Sequence, residues 1–304
     1  MKQRRWIGGF SVGCIGAVLL TVAYSNRAAI LRSHKHSTNS SLRVEQPASE
    51  QPHYQRYSLP NSEIYTIALP ANHRFQVSIA LAETTRTIGQ FAESNSAIAV
   101  LNAGFFDPQN QKTTSIVIQD GKLIGDPKQN EGLTENPTLQ PYLAQIWNRS
   151  EFRRYQCGQT VKYAIVPHLA MVPADCELID AVGGGPQLLP VLTAEKEGFI
   201  DRANNRDAIG LNQRNARSAI GILGDGSILL VMAAQKSDRS NSGVSIPELT
   251  DFMQRLGVGQ ALNLDGGTSS ALFAQGQTVY GKVDKNGDRV SRPVKSVILV
   301  RKNE

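Results

Sequence analysis

Ala261-Leu262-Asn263-Leu264-Asp265-Gly266-Gly267-Thr268-Ser269-Ser270 is a short apolar run that stops at a carboxylate, two glycines and three hydroxyls. An apolar run of this length bounded by glycine reads as a buried strand, and glycine lets the backbone beyond it turn sharply or approach a ligand closely. Two more stretches have the same form: Ala99-Val100-Leu101-Asn102-Ala103-Gly104-Phe105-Phe106 and Ile179-Asp180-Ala181-Val182-Gly183-Gly184-Gly185-Pro186. Each alone reads equally well as a tight turn; three in one domain read as the rim of an active site. Successive strand residues point to opposite faces, so Asn263 and Asp265 are expected to share one. A buried strand has no packing use for a carboxylate at its tip, and Asp265 becomes the leading candidate for chemistry.

Around these three stretches, β-branched strand candidates lie at 63 to 69, 74 to 82, 97 to 102, 114 to 119, 142 to 148, 161 to 166, 178 to 183, 219 to 223, 227 to 233, 260 to 264, 270 to 274 and 294 to 301. Asp120-Gly121 and Asp225-Gly226 sit between apolar runs as hairpin turns, which makes the sheet at least partly antiparallel. One clear helix is predicted over 246 to 256. Ser245 and Glu248 have capping-box spacing, Pro247 fits a first turn, and Gly257 is placed to end it. A weaker helix is predicted over 86 to 94. The expected architecture is α+β: a mixed, largely antiparallel β-sheet core with a few packed helices in a single domain, 61–304.

The net charge of +6 belongs to the amino-terminal part. Residues 1–60 hold eight basic and two acidic residues, which leaves 24 of each sign in 61–304. The globular part therefore has no basic excess to suggest a nucleic-acid partner. Residues 6–24 carry no charge and follow Lys2, Arg4 and Arg5. Residues 1–24 read as a signal peptide or a membrane anchor, which predicts an extracytoplasmic location, secreted or attached to the membrane through this N-terminal segment. Residues 25–60 are polar and aperiodic, and read as a disordered linker. Cys157 and Cys176 form a disulfide if the domain is exported, and are free core thiols in a reducing compartment.

Candidate chemistry is limited to carboxylate, amide, hydroxyl and guanidinium. Gly266, Gly267, Ser269 and Ser270 follow Asp265 with donors suited to an anion or a sugar. Arg217 and Arg292 each precede an apolar strand, and a guanidinium fork suits phosphate oxygens. Gly183, Gly184 and Gly185 have the composition of an anion-binding nest of backbone N–H groups. Asn102, Phe105 and Asp107 offer an amide, an aromatic face and a carboxylate to a sugar. Neither a phosphate-binding Walker pattern nor a Gly-x-Ser-x-Gly elbow is present.

Asn102 to Phe106, Gly183 to Pro186, Arg217 to Gly221, Asn263 to Gly267 with Ser269-Ser270, and Arg292 to Val294 together resemble, in order, the phosphodiester glycosidase family. Its catalytic domain is also that of the mannose 6-phosphate uncovering enzyme. The resemblance implies cleavage of the bond between a sugar's anomeric carbon and a phosphodiester oxygen. It marks Asp265, Arg217 and Asn102 as catalytic, with Asp265 as nucleophile or general base, Arg217 and Arg292 holding phosphate, and Asn102 orienting the sugar. Thr268 departs from the family, which more often has a third glycine there. The implied partner is a carbohydrate phosphodiester, and no cofactor is implied. The alternatives are a metal-dependent phosphodiesterase using Asp265 and Asp107 with a divalent cation, and a non-catalytic glycan-binding module.

Overall fold

The computed structural model describes residues 50–303 apart from His73 and Ser240. Residues 1–49, including the apolar segment 6–24, lie outside the described residues. No helix among the described residues is long and apolar enough to cross a membrane. The membrane partner and the membrane-anchored location expected from residues 6–24 are accordingly withdrawn.

The fold is α+β, with three principal sheets and a few helices. The first sheet has the order His53–Ser58, Ser62–Leu69, Ile228–Gln235, Arg217–Leu223, Val258–Asn263, Gln187–Leu189. The second runs Gln277–Tyr280, Ala271–Ala274, Ala99–Asn102, Val294–Lys302, Phe75–Arg86. The third runs Lys122–Gly125, Val117–Gln119, Glu177–Gly183, Ser150–Cys157, Thr160–Pro167. All the strand pairs in these sheets are antiparallel. Both Asp-Gly pairs make hairpins as expected, and Asp120 and Gly121 each take positive φ (49° and 73°).

One buried cluster draws side chains from all three sheets. It includes Ile67, Ile220, Leu230 and Leu262 from the first, Ile79, Leu101 and Ile298 from the second, and Val117, Phe152 and Val182 from the third. The helix Ile246–Arg255 covers the other face of the first sheet with Ile246, Leu249, Phe252 and Met253. Full burial of each such side chain stabilises the fold by about 1.5–3 kcal/mol. Its capping box is formed as the sequence indicates: Ser245 Oγ accepts from the Glu248 N–H and Glu248 from the Ser245 N–H. The shorter helix Ile88–Ser94, capped by Thr87 and Gln90, packs Ile88 and Phe91 onto the second sheet.

Two expectations fail for identifiable reasons. Residues 142 to 148 are a 3-10 turn, Gln140–Tyr142, followed by the helix Leu143–Trp147. Leu143 and Ile146, three apart, share a helical face, and Pro141 fits the opening turn. The strand Ser150–Cys157 has no sequence signal because its charges point inward. Arg153 pairs with Glu151 at 2.5 Å and Arg154 with Asp180 at 2.7 Å, all four side chains being almost wholly buried. His53–Ser58 pairs antiparallel with Ser62–Leu69, so β-structure begins ahead of the boundary read at residue 61. Cys157, at the end of the strand Ser150–Cys157, is joined in a disulfide to Cys176, just ahead of the strand Glu177–Gly183.

Candidate active site

The three glycine-bounded strand ends meet where the three sheets meet. The backbone N–H of Leu264 donates to Ser218 O in the first sheet, and the next N–H, that of Asp265, donates to Ala103 O just beyond a strand of the second. Gly184 N donates to Ser150 O in the third sheet, and Gly185 N to Asn263 O in the first. Three backbones converge here, and glycine is what lets them. A Cβ on Gly184 would lie 2.6 Å from Asn263 O, and one on Gly104 2.9 Å from Ser115 Cβ and 3.2 Å from Gly183 O.

Asp265 stands at this seam with part of its surface open. Burial pushes its carboxyl up to about 6 from an ordinary 3.8, against the opposing pull of the Ser269 hydroxyl, the Arg292 charge and the Gly266 N–H, which donates to Oδ1 at 2.9 Å. Arg292 is the cation facing it. Its Nη1 donates to Thr268 Oγ1 at 2.7 Å, and its guanidinium lies over the Phe106 ring, 5.1 Å from the centroid. The Thr268 hydroxyl thus orients this arginine.

Asn102 and Arg217 are near Asp265 but face protein. Asn102 is fully buried: Nδ2 donates to Asp265 O at 2.6 Å, and Oδ1 accepts from Ser218 Oγ at 2.6 Å and from the Ala271 N–H at 3.1 Å. Its amide is committed to holding the seam and is not turned toward a sugar. Arg217 lies beneath Gly266, and its guanidinium donates to the carbonyls of Ile209, Gly210, Gln213 and Val244. Burial lowers its pKa to about 10, partly offset by the charge of Asp207. Arg217 therefore organises the 209–213 loop, and phosphate is not within the reach of those bonded N–H groups.

The glycine run also differs from the expected nest. Gly183, Gly184 and Gly185 donate their N–H groups to Ile116, Ser150 and Asn263 carbonyls, so none is left for an anion. Asn263 and Asp265 do not share a face. The strand ends at Asn263, whose buried amide turns back to Gly185 O at 2.8 Å, while Asp265 opens at the seam. Asp107 sits in a turn, accepting from Gln109 N at 2.8 Å, with Gly132 against its other oxygen. Among the described residues no group of three or more His, Cys, Asp or Glu is arranged to hold a metal ion. Phe105 packs against Phe199 at 5.9 Å yet remains half-buried. Gly267 N donates to Ala216 O, Ser269 is buried beside Asp265, and Ser270 is buried with its Oγ unpartnered.

A model of the phosphodiester glycosidase family matches residues 95–301, about two thirds of the chain. The chain belongs to that family. No curated protein matches its sequence. Among solved structures, this chain resembles the catalytic domain of zebrafish N-acetylglucosamine-1-phosphodiester alpha-N-acetylglucosaminidase auto-inhibited by its pro-peptide. That likeness has a TM-score of 0.60 and 15% identity over 83% of each chain. It also resembles a hypothetical protein from Synechocystis, with a TM-score of 0.53 and 19% identity over 82% of this chain. It spans 61% of the length of that Synechocystis protein. At these identities the likeness is one of fold.

Three charged groups around the seam escaped the sequence reading. Glu197 is buried, and its Oε1 accepts from Ser150 Oγ, Thr193 Oγ1 and the Gln187 N–H, while Oε2 has no partner and lies against Gly185. Arg149 donates to the Glu197 carbonyl and stacks over Phe199 at 3.7 Å; burial lowers its pKa to about 10. Lys282 donates to Asn215 Oδ1 at 2.9 Å. Glu197 sits in Thr193-Ala194-Glu195-Lys196-Glu197-Gly198, which has the composition of a solvated loop and gives no signal of burial.

Proposed function

We propose that this chain hydrolyses the bond between the anomeric carbon of a sugar and a phosphodiester oxygen, with Asp265 as the acting carboxylate. The observation that carries the reading is a partly exposed Asp265 carboxyl at the seam with the Arg292 charge acting on it from beyond ion-pair distance. A carboxyl raised to about 6 is poised to gain or lose a proton near neutral pH, and in its ionised form it serves as nucleophile or general base. A phosphate leaving group needs its developing charge stabilised more than it needs protonation. Arg292, held by Thr268 and Phe106, is the cation beside the carboxylate for that purpose.

Asn102 and Arg217 then act through others, Asn102 by fixing the Asp265 backbone and Arg217 by fixing the 209–213 loop. Asp107 has no part in this reading, since its oxygens face Gln109 and Gly132. Half-buried Phe105 offers the one aromatic face in the Asn102 segment that is not beneath Arg292.

The test is release of free sugar from a set of α- and β-linked sugar-1-phosphodiesters. N-acetylglucosamine-1-phosphodiesters come first, because that is the substrate named for the zebrafish enzyme whose fold this chain shares. Sugar release from at least one member, surviving a chelator, is expected. Binding without release from any member would favour the non-catalytic glycan-binding alternative and end this reading.

A further inference from the structure

Beyond Arg292, the turn after Asp265 has a second cation beside it. The loop 281–293 leaves the strand Gln277–Tyr280 and returns to the strand Val294–Lys302, and both of its ends touch residues 266–270. At its start, Gly281 N donates to Ser270 O at 2.7 Å, and a Cβ on Gly281 would lie 2.8 Å from Ser270 Cβ. At its end, Arg292 donates to Thr268 Oγ1 at 2.7 Å. Lys282 follows Gly281 directly and donates to Asn215 Oδ1 at 2.9 Å. The Nδ2 of the same Asn215 amide lies 3.6 Å from where a Cβ on Gly267 would be. Both side chains are therefore tethered to the Gly266-Gly267-Thr268 turn, Lys282 through Asn215 and Arg292 through Thr268.

Neither cation has a carboxylate within ion-pair distance among the described residues. Lys282 is half-buried, and its ammonium is lowered from its ordinary value by burial and by the charge of Arg217. An uncompensated, partly desolvated ammonium gains most from an anion placed against it. Two backbone amides of the turn are already taken, Gly266 N by Asp265 Oδ1 and Gly267 N by Ala216 O.

We infer that Lys282 and Arg292, both tethered to the 266–268 turn, together form the phosphate clamp of this site and hold the anionic oxygens of a phosphodiester. Arg217, with its guanidinium committed to carbonyls, is outside the clamp. The inference rests on the glycosidase reading for its substrate, but the clamp itself is a binding site for phosphate and is tested without turnover.

The experiment is calorimetric titration of the full chain with inorganic phosphate, comparing the parent with Lys282→Met, Lys282→Arg, Arg292→Met and, as an exposed control in the same loop, Lys285→Met. Circular dichroism and melting temperature establish that each variant is folded. Loss of one charge-assisted bond predicts that Lys282→Met weakens phosphate binding about tenfold, and Arg292→Met by a similar factor. Lys282→Arg is expected to retain most of the affinity and Lys285→Met all of it. Parent-like binding by Lys282→Met, or no phosphate binding by the parent, overturns the clamp. Turnover separates the two ideas. Phosphate binding through both cations with no sugar released from any phosphodiester leaves the clamp standing and removes the glycosidase reading. Sugar release with the same KM in parent and Lys282→Met does the reverse.

Discussion

Asn102 Nδ2 donates to the backbone carbonyl of Asp265 at 2.6 Å, joining two residues 163 positions apart in the chain. The carbonyl oxygen of the same amide takes the Ser218 hydroxyl and the Ala271 N–H, so one side chain ties together the three segments on which Asp265 depends. A fully buried amide in this position fixes where the carboxylate stands and is itself out of a substrate's reach.

Asn102→Ala leaves a carbonyl, a hydroxyl and an N–H unpaired in a buried place. A loss of about 3 kcal/mol or more is expected, read from the denaturation midpoint at constant m-value. Turnover should fall through kcat with little change in KM. A variant of undiminished stability whose only defect is a raised KM would return Asn102 to the role of a sugar-binding group.

Arg217 and Arg292 should separate cleanly. Arg217→Met removes the donor to three carbonyls of the 209–213 loop, and is expected to cost about 3 kcal/mol and to speed amide exchange in that loop. Arg292→Met should leave the melting temperature nearly unchanged while lowering kcat/KM on a phosphodiester by about tenfold to a hundredfold. Hydrogen exchange and steady-state kinetics on the two variants check the assignment; the opposite pattern would exchange their roles.

The raised pKa of Asp265 has a signed consequence for stability. Its neutral form is favoured on folding, so below the unfolded value of 3.8 it costs nothing, and the destabilisation grows as pH rises from 3.8 to about 6 and is constant above that. Asp265→Asn is therefore expected to be stabilised relative to the parent at pH 7, by up to about 3 kcal/mol, and to match it near pH 3. Thermal melts of both proteins at the two pH values decide this. If the ionised carboxylate is the active form, kcat/KM should also rise with pH to a plateau above about 6.

Glu248 behaves in the opposite sense. Arg214, bonded to it through two nitrogens, and the Ser245 cap hold its pKa down to about 2 in spite of partial burial. The stability it contributes is present above its ordinary 4.5 and is lost as pH falls toward 2. Glu248→Gln should thus be destabilised at pH 6 and equal to the parent near pH 2. Ser245→Ala, which removes the other half of the capping box, should cost about 1 kcal/mol.

Much of this fold is legible in sequence because its apolar runs are bounded by real turn chemistry. Asp120-Gly121, Asp225-Gly226 and the Ser245 cap each fix an element end by local geometry that survives in the folded chain. The strand Ser150–Cys157 is not legible, since Glu151, Arg153 and Arg154 satisfy one another and their neighbours inside the sheet, and a charge buried with its partner looks like a surface charge until the partner is known. The site divides in the same way. Asp265 is visible because a carboxylate ending an apolar strand has no packing purpose. The direction in which Arg217 and Asn102 point is not visible, because it depends on the carbonyls of residues 209–213 and on the Asp265 backbone, which only the tertiary fold brings near.

The measurement that bears most directly on the central claim is the rate of sugar release from a sugar-1-phosphodiester by Asp265→Asn, made alongside a melt of the same preparation. A folded variant, at least as stable as the parent at pH 7, that has lost most of its turnover is the predicted result. The same variant, equally well folded and releasing sugar at the parental rate, would contradict the assignment of Asp265 as the acting carboxylate.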